Sequence, residues 1–348
     1  SNPGWPTKPP DFNTTSIDPL YEYTHTNKPG DPQFKGNSVI GGRVYRGDRV
    51  ATLQGAYVFG DHVSGHIWSL RLDTGTPVVT RIAGQPNIAN FGADPSNGDI
   101  LLSDYDNGVI MRLVSSTQAG SFPATLADTG LFSDLAELTP APGLLPYDPV
   151  LSFWSDHAIK RRWFALPADS PGIIWDRDAP WDFPEGQIMV KHFDLELVRG
   201  DPSTLKRIET RVLVRNPEGV YGVSYRWNDE ETNAFLVEDG GESFDIEIID
   251  AGTPHTQSWQ IPSRAQCLSC HTEDGGYFPS FTTRQLNQEG SLNGFTGNQL
   301  DLLTSAGFFA SPPDPSNTLP VHSRPTDDTR TLEARVRSYL DVNCSYCH

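Results

Sequence analysis

The 348-residue chain has four cysteines, and all of them fall in one pattern that occurs twice. The first copy is Cys267, Cys270 and His271 in "RAQCLSCHTEDGG" (264–276). The second is Cys344, Cys347 and His348 in "NCSYCH" (343–348). Two thiols three residues apart, followed at once by an imidazole, form the covalent attachment signature of haem c. On a helical turn such residues share a face, so each thiol reaches one vinyl group and the histidine projects onto the iron as proximal ligand. The pattern therefore predicts two covalent haems.

Three other uses of these residues compete. A zinc site built from two C-x-x-C pairs places them about 15–20 residues apart; here they start at 267 and 344, and each carries an adjacent histidine. A thioredoxin-like pair needs a βαβ setting that the flanks do not show. A disulfide within each pair leaves both histidines without a role. Two copies that consume every cysteine favour haem over all three.

Haem iron in an electron carrier commonly takes a second axial ligand from Met or His. The two methionines, Met111 and Met189, do not follow either motif. The candidates for a sixth ligand to the first haem are His322 and His255, with His192 or Met189 behind them. Each reads equally well as a packing or surface residue, and the iron could stay five-coordinate or take a ligand from outside the chain. Lys160, Arg161 and Arg162 could face haem propionates or simply solvent. His62 and His66 fall in a hairpin and receive no role.

The elements that must position these residues are mostly strands. Gly (31) and Pro (29) are abundant, and helical periodicity is scarce before residue 280, which predicts a β-rich chain with many turns. Residues 1–34 are irregular. Alternating segments at 38–47, 55–72, 77–84 and 98–114 are broken by Gly/Asp/Asn turns such as "DHVSG" and "YDNG", the pattern of propeller blades. A small-residue linker is expected over 115–130. Residues 131–265 then predict about eight antiparallel strands in a sandwich or jelly roll. Trp154, Trp163, Trp181, Trp227 and Trp259 are expected to be core and rim aromatics. The first haem region spans 266–329, with a helix capped by Thr296 or Asn298 and stopped at Gly307. An amphipathic helix over 330–348 has Leu332, Val336, Tyr339, Leu340 and Val342 as its apolar stripe.

Composition narrows the function classes. A net charge of −18 and no basic stripe beyond "IKRRW" (159–163) exclude nucleic acid as a partner. An acidic surface suits a basic redox partner, a cytochrome or dehydrogenase, and equally suits plain solubility. No apolar run of about 18 residues is present to span a membrane.

Two stretches resemble known families. "SVIGGRVYRG…LQGAYVFGDHVSGHIWSL…NFGADPSNGDILLSDYDNGVIMRL" resembles the last one or two blades of glucose/sorbosone dehydrogenase-like six-bladed propellers, over about residues 18–114. Quinoprotein members of that group bind pyrroloquinoline quinone (PQQ) with calcium. They place arginines against the quinone where this chain reads "GQPNIANFGADP" (84–95), without one. Asp94, Asn97 and Asp99 lack the calcium-loop spacing with its distant Glu. "FWSDHAIKRRWFALP", "WDFPEGQIMVKHF", "ETRVLV", "VSYRWN" and the two motifs, over 122–348, resemble bacterial dihaem cytochromes c that are often joined to such propellers. "EARVRSYLDVNCSYCH" resembles the opening helix of a cytochrome c domain, which continues past its motif. The resemblance thus implies a piece of a longer protein with a periplasmic or cell-surface location. The expected function is electron transfer by two haems. The alternatives are a PQQ- and calcium-dependent sugar or alcohol dehydrogenase with a haem relay, and a carbohydrate- or surface-binding β module.

Overall fold

The computed structural model describes residues 19–72, 75–114, 122–217, 219–292 and 294–346. The chain is mainly β, with antiparallel sheets and short helices. It divides into two compact units, one up to residue 115 and one from 116 onward. No helix among the described residues is long and apolar enough to cross a membrane.

The first unit holds a four-stranded antiparallel meander of β1 (Val39–Val44), β2 (Tyr57–Asp61), β3 (His66–Arg71) and β4 (Val78–Gly84). A three-stranded sheet of β5 (Ile88–Ala93), β6 (Ile100–Asp104) and β7 (Ile110–Arg112) follows. Tyr45, Val58, Ile67, Ile88, Phe91 and Ile100 from both sheets share one core. Three connections use the same Asp-x-x-x-Gly turn, at Asp61–Gly65, Asp94–Gly98 and Asp104–Gly108. In each, the glycine N–H donates to the aspartate carbonyl at 3.0, 2.8 and 3.2 Å, respectively. The aspartate carboxylate also accepts from backbone N–H groups within the turn, as Asp61 does from Val63 (3.0 Å) and Ser64 (2.7 Å). The glycines sit at φ +72°, +76° and +65°, a region where a Cβ is strained. These are the "DHVSG", "DPSNG" and "DYDNG" turns legible in the sequence.

In the second unit the ribbon of β8 (Phe132–Asp134) and β9 (Thr139–Pro140) precedes a six-stranded antiparallel meander. The meander runs β10 (Leu145–Pro146), β11 (Ile159–Ala165), β12 (Ile188–Glu196), β13 (Leu205–Asn216), β14 (Gly219–Trp227) and β15 (Ala234–Leu236). A hairpin of β16 (Glu242–Asp250) and β17 (Thr253–Ile261) follows. The strands thus form one large sheet with two-stranded ribbons rather than two sheets sharing about eight strands. One face of the meander packs Trp163, Val190, Val212, Val223 and Trp227 against Leu126, Leu138 and Leu144. Leu126 is fully buried, so residues 122–130 belong to this core and are not linker; residues 115–121 lie outside the described set.

The other face carries two apolar clusters. Phe164, Met189 and Leu213 meet Trp181, Phe281 and Leu303. Phe193 meets Ile246, Ile248 and Trp259. Of the five tryptophans, Trp163, Trp181, Trp227 and Trp259 are buried and Trp154 is exposed.

The segment expected to form a separate haem region instead contributes to this same core through Phe278, Phe281, Leu286, Leu300, Leu303 and Leu319. Its elements are α1 (Arg264–Cys267), α2 (Thr283–Leu286), β18 (Glu289–Leu292), β19 (Phe295–Asn298) and α3 (Gln299–Ser305). Asn298 caps α3, its side chain accepting from the Leu300 N–H at 2.9 Å. Gly307 follows α3 at φ +76°. Helix α4 (Leu332–Cys344) is capped by Thr331. Its expected stripe buries Val342 alone; Leu332, Val336, Tyr339 and Leu340 are exposed.

Candidate functional site

The first motif lies on a helical turn that begins with a capping box. The Ser263 hydroxyl accepts from the Gln266 N–H, and the Gln266 side chain accepts from the Ser263 N–H, which satisfies two donors that a helix start leaves open. The turn continues past the end of α1. His271 N–H donates to the Cys267 carbonyl at 3.1 Å, and Ser269 N–H to the Gln266 carbonyl at 3.1 Å. Cys267, Cys270 and His271 are thus i, i+3 and i+4 on one face.

The three side chains differ in setting. Cys267 is buried and Cys270 exposed, both as free thiols. Burial pushes the Cys267 thiol up to about 11, although the Arg211 charge pulls it down. His271 is part-buried, and its Nδ1 lies 2.6 Å from the Tyr277 carbonyl. With Nδ1–H donating there, the lone pair sits on Nε2, the arrangement that orients an imidazole as a ligand. Burial brings the His271 pKa down to about 4, against the pull of that carbonyl, so the ring is neutral at pH 7. Tyr277 adopts φ +61°, a left-handed backbone that costs a non-glycine residue about 1–3 kcal/mol. Its ring is held beneath the Arg215 guanidinium, 4.5 Å from ring centroid to charge.

Strand β14 supports the turn from below. A Cβ at Gly222 would lie 3.0 Å from the Cys267 sulfur, so even a methyl group there would press on the thiol and a larger side chain would not fit without displacing it. Gly222→Leu is expected to push the turn off the sheet. The cost is about 1–3 kcal/mol of stability, typical of overpacking, with loss of any group attached at Cys267; thermal melting and haem content check the two effects separately.

The second motif comes to the same place. Its described residues are Cys344, Ser345 and Tyr346; Cys347 and His348 lie outside the described residues. The hydroxyl of Thr272, next to His271, donates to the Tyr346 carbonyl at 3.3 Å. The Tyr346 ring also packs against Phe153 at 5.9 Å between centroids. Asn343 accepts from the Trp154 N–H at 2.8 Å, while Val342 is buried with Val150 and Leu151. Motifs far apart in sequence are neighbours in space, a relation that spacing alone did not reveal.

The possible sixth ligands scatter. His322 is buried, with Nε2 3.3 Å from Asp341 of α4. It lines an open groove of about 510 Å³ together with Leu340, Asp341 and Cys344, which associates it with the second motif rather than the first. His255 is exposed on β17, opposite Ile248. His192 is fully buried on the Trp163 face of the meander. It is engaged at Nδ1 by Thr210 (2.7 Å) and at Nε2 by Asp194 (2.8 Å), so neither ring nitrogen is free for iron. Met189 shares a cross-strand row with Phe164, Leu213 and Gly222, and its sulfur accepts from the Tyr147 hydroxyl at 3.5 Å.

The basic cluster at 160–162 divides by strand alternation. Arg161 points to Asp194 at 3.3 Å. Lys160 and Arg162 face the other way, on the Lys191 and Arg211 side. Lys160 donates to the Phe153 carbonyl and, at 2.5 Å, to the Ser155 hydroxyl. Burial, with Arg162 and Arg211, brings its pKa down to about 8. In the first unit, Asp94 is engaged by Ser96, Asn97 and Arg112, and Asp99 by Tyr45, Arg49 and Arg112. Asn97 caps the Asp99 N–H at 2.9 Å. These side chains are occupied in closing a turn. Among the described residues no three His, Cys, Asp or Glu side chains converge as a metal site. His62 and His66 contact the carbonyls of Ile88 and Lys35 through Nδ1, both at 3.0 Å.

No family model matches this chain.

Proposed function

We propose that the second unit is a c-type cytochrome module that carries two covalent haems and transfers electrons outside the cytoplasm. The observation that supports this most is the turn at 267–271. Both thiols and the imidazole share a face there, and a carbonyl fixes the ring with Nε2 open. The donor set fits haem c: a thiol pair for two thioethers and one neutral imidazole for iron. Haem, when bound, supplies one-electron exchange between Fe(III) and Fe(II). The chain's own residues anchor and orient it. Cys267 and Cys270 hold its edge, Tyr277 fixes the proximal ring, and the meander shields one side from water. Burial and hydrogen bonding around such a centre set its potential. The contact between Thr272 and Tyr346 supports a relay in which two haems are close neighbours. The first unit is read as the last blades of a sorbosone dehydrogenase-like propeller, through which, or from a separate redox partner, electrons arrive.

The test is expression of the whole chain with a c-type haem maturation system, followed by haem staining on a denaturing gel and intact mass. Two haems added to the polypeptide mass are expected. The bare polypeptide mass, with zinc bound in the native protein, would overturn the reading.

A further inference from the structure

On the meander face beneath the first motif, three cations stand side by side. Arg162 on β11 is the register partner of Lys191 on β12, which is the partner of Arg211 on β13. Lys160 lies one pleat along. Like charges in directly opposed positions repel, and partial burial between two apolar clusters strengthens that repulsion.

The available counter-charge is shared and pairs directly with Arg211 alone of the three among the described residues. Glu209, fully buried, is paired with Arg211 and also accepts from the Trp259 indole at 3.3 Å. Lys160 is taken up by Phe153 and Ser155. The Lys191 ammonium lies over aromatic faces, 5.7 Å from the Phe153 centroid and 5.0 Å from that of Phe193, and feels the Glu209 charge that Arg211 already engages. Arg162 is 4% exposed, and its Nη2 is buried without a hydrogen-bond partner. A buried ammonium can discharge by losing its proton, but a guanidinium cannot. Arg162 is therefore a buried charge whose anionic neighbour among the described residues is the exposed Asp148, acting at a distance beside Tyr147, and an anion at Nη2 would complete its hydrogen bonding.

The position says what that anion is. Arg162 lies three strands from β14, where Gly222 meets the Cys267 sulfur. Three inter-strand spacings are about 14 Å, comparable with the span of a porphyrin from its vinyl edge to its propionate edge. The geometry points to Arg162 and Lys191 as the site that binds the propionate carboxylates of the haem attached at Cys267 and Cys270. Guanidinium and ammonium donors suit carboxylates as charge-assisted partners. The assignment rests on the haem reading above and goes beyond it by giving two residues outside the motif a defined ligand group.

The test uses the whole haem-loaded chain. Resonance Raman propionate bending modes of the unsubstituted protein should shift in D2O, because the hydrogen-bonding N–H groups exchange. In Arg162→Met and Lys191→Met the haem count by intact mass should stay at two. The propionate modes should move, and one of the two reduction potentials should fall, because a positive charge that favours the reduced haem is gone. Arg162→Lys should recover part of the shift. Unchanged modes and unchanged potentials in both Met variants, with haem present, would overturn this assignment alone. Propionate modes insensitive to D2O would do the same without relying on any variant's folding. Absence of haem from Cys267 and Cys270 in the unsubstituted chain would overturn both readings together.

Discussion

With Cys267 and Cys270 both replaced by alanine, the intact mass is expected to drop by one haem and the haem stain to halve. The second motif should retain its group. The fold should survive, because the turn is built by the Ser263–Gln266 capping box and by backbone bonds, none of which needs a thiol. The lost burial of one small side chain, Cys267, is expected to cost about 1 kcal/mol. The control is His271→Ala, which keeps both thiols: haem should still be attached, but its absorption spectrum should change as the proximal imidazole disappears. A double-cysteine variant that still carries two haems would show that the first motif holds none.

A large effect on stability is expected at Asp194. This carboxylate is buried and accepts from His192 at 2.8 Å and from Arg161 at 3.3 Å, while His192 also meets Thr210, to which the Trp227 indole donates at 3.0 Å. The group of Thr, His and Asp has the members of a hydrolytic triad, but it is sealed in the core and serves packing. Asp194→Ala leaves a buried imidazole N–H without an acceptor and Arg161 without its ion pair. His192 is neutral and Arg161 is partly exposed, so the cost is that of a buried hydrogen-bond donor left without its partner, about 1–3 kcal/mol, a sizeable share of the total stability of a domain. A fall in melting temperature of less than a few degrees would contradict this.

The same network predicts an acid response in two stages. Burial lowers the His192 pKa, outweighing the hydrogen bond and charge of Asp194, which raise it. The unfolded chain therefore takes up this proton more readily, and the stability that depends on neutral His192 is full above about pH 6.5 and declines as pH falls below it. Asp194 is lowered as well: burial opposes this, but the hydrogen bond and charge of His192 and the charge of Arg161 outweigh it. Its contribution is present above about pH 3.9 and is lost as pH falls through the lower folded value. Melting curves of the haem-free chain from pH 8 to pH 4 check the first stage. His192→Gln should flatten it, leaving the slope from His271 and His322, which burial lowers in the same direction.

How much of this was legible in the sequence depends on the range of the interaction. The Asp-x-x-x-Gly turns, the Asn298 cap and the i, i+3, i+4 face of the first motif are local, and each follows from residues within one turn. The cations needed strand register. Alternation alone separates Arg161 from Lys160 and Arg162, but nothing local aligns Arg162 with Lys191 and Arg211. Tyr277 carried no sequence signal as the partner of His271, because it acts through a backbone carbonyl at a positive φ. Burial of His192 on β12, against Thr210 of β13 and Trp227 of β14, likewise removed a candidate ligand that composition had offered. In α4 the apolar period was real, but periodicity does not say whether a neighbour covers the face, and Leu332, Val336, Tyr339 and Leu340 stay in solvent.

That uncovered helix has a consequence for motion. α4 buries only Val342 and is tied to the body by a few polar bonds, among them Asn343 with the Trp154 N–H and Ser338 with the Ser323 N–H at 2.9 Å. Segments with few buried apolar contacts open at a small fraction of the global unfolding free energy. Amide exchange should therefore be faster along Leu332–Cys344 than in β12 or β13, and each opening would part Tyr346 from Thr272. The joint between the two motifs would then behave as an intermittent switch, closed when the helix is docked and broken when it peels away.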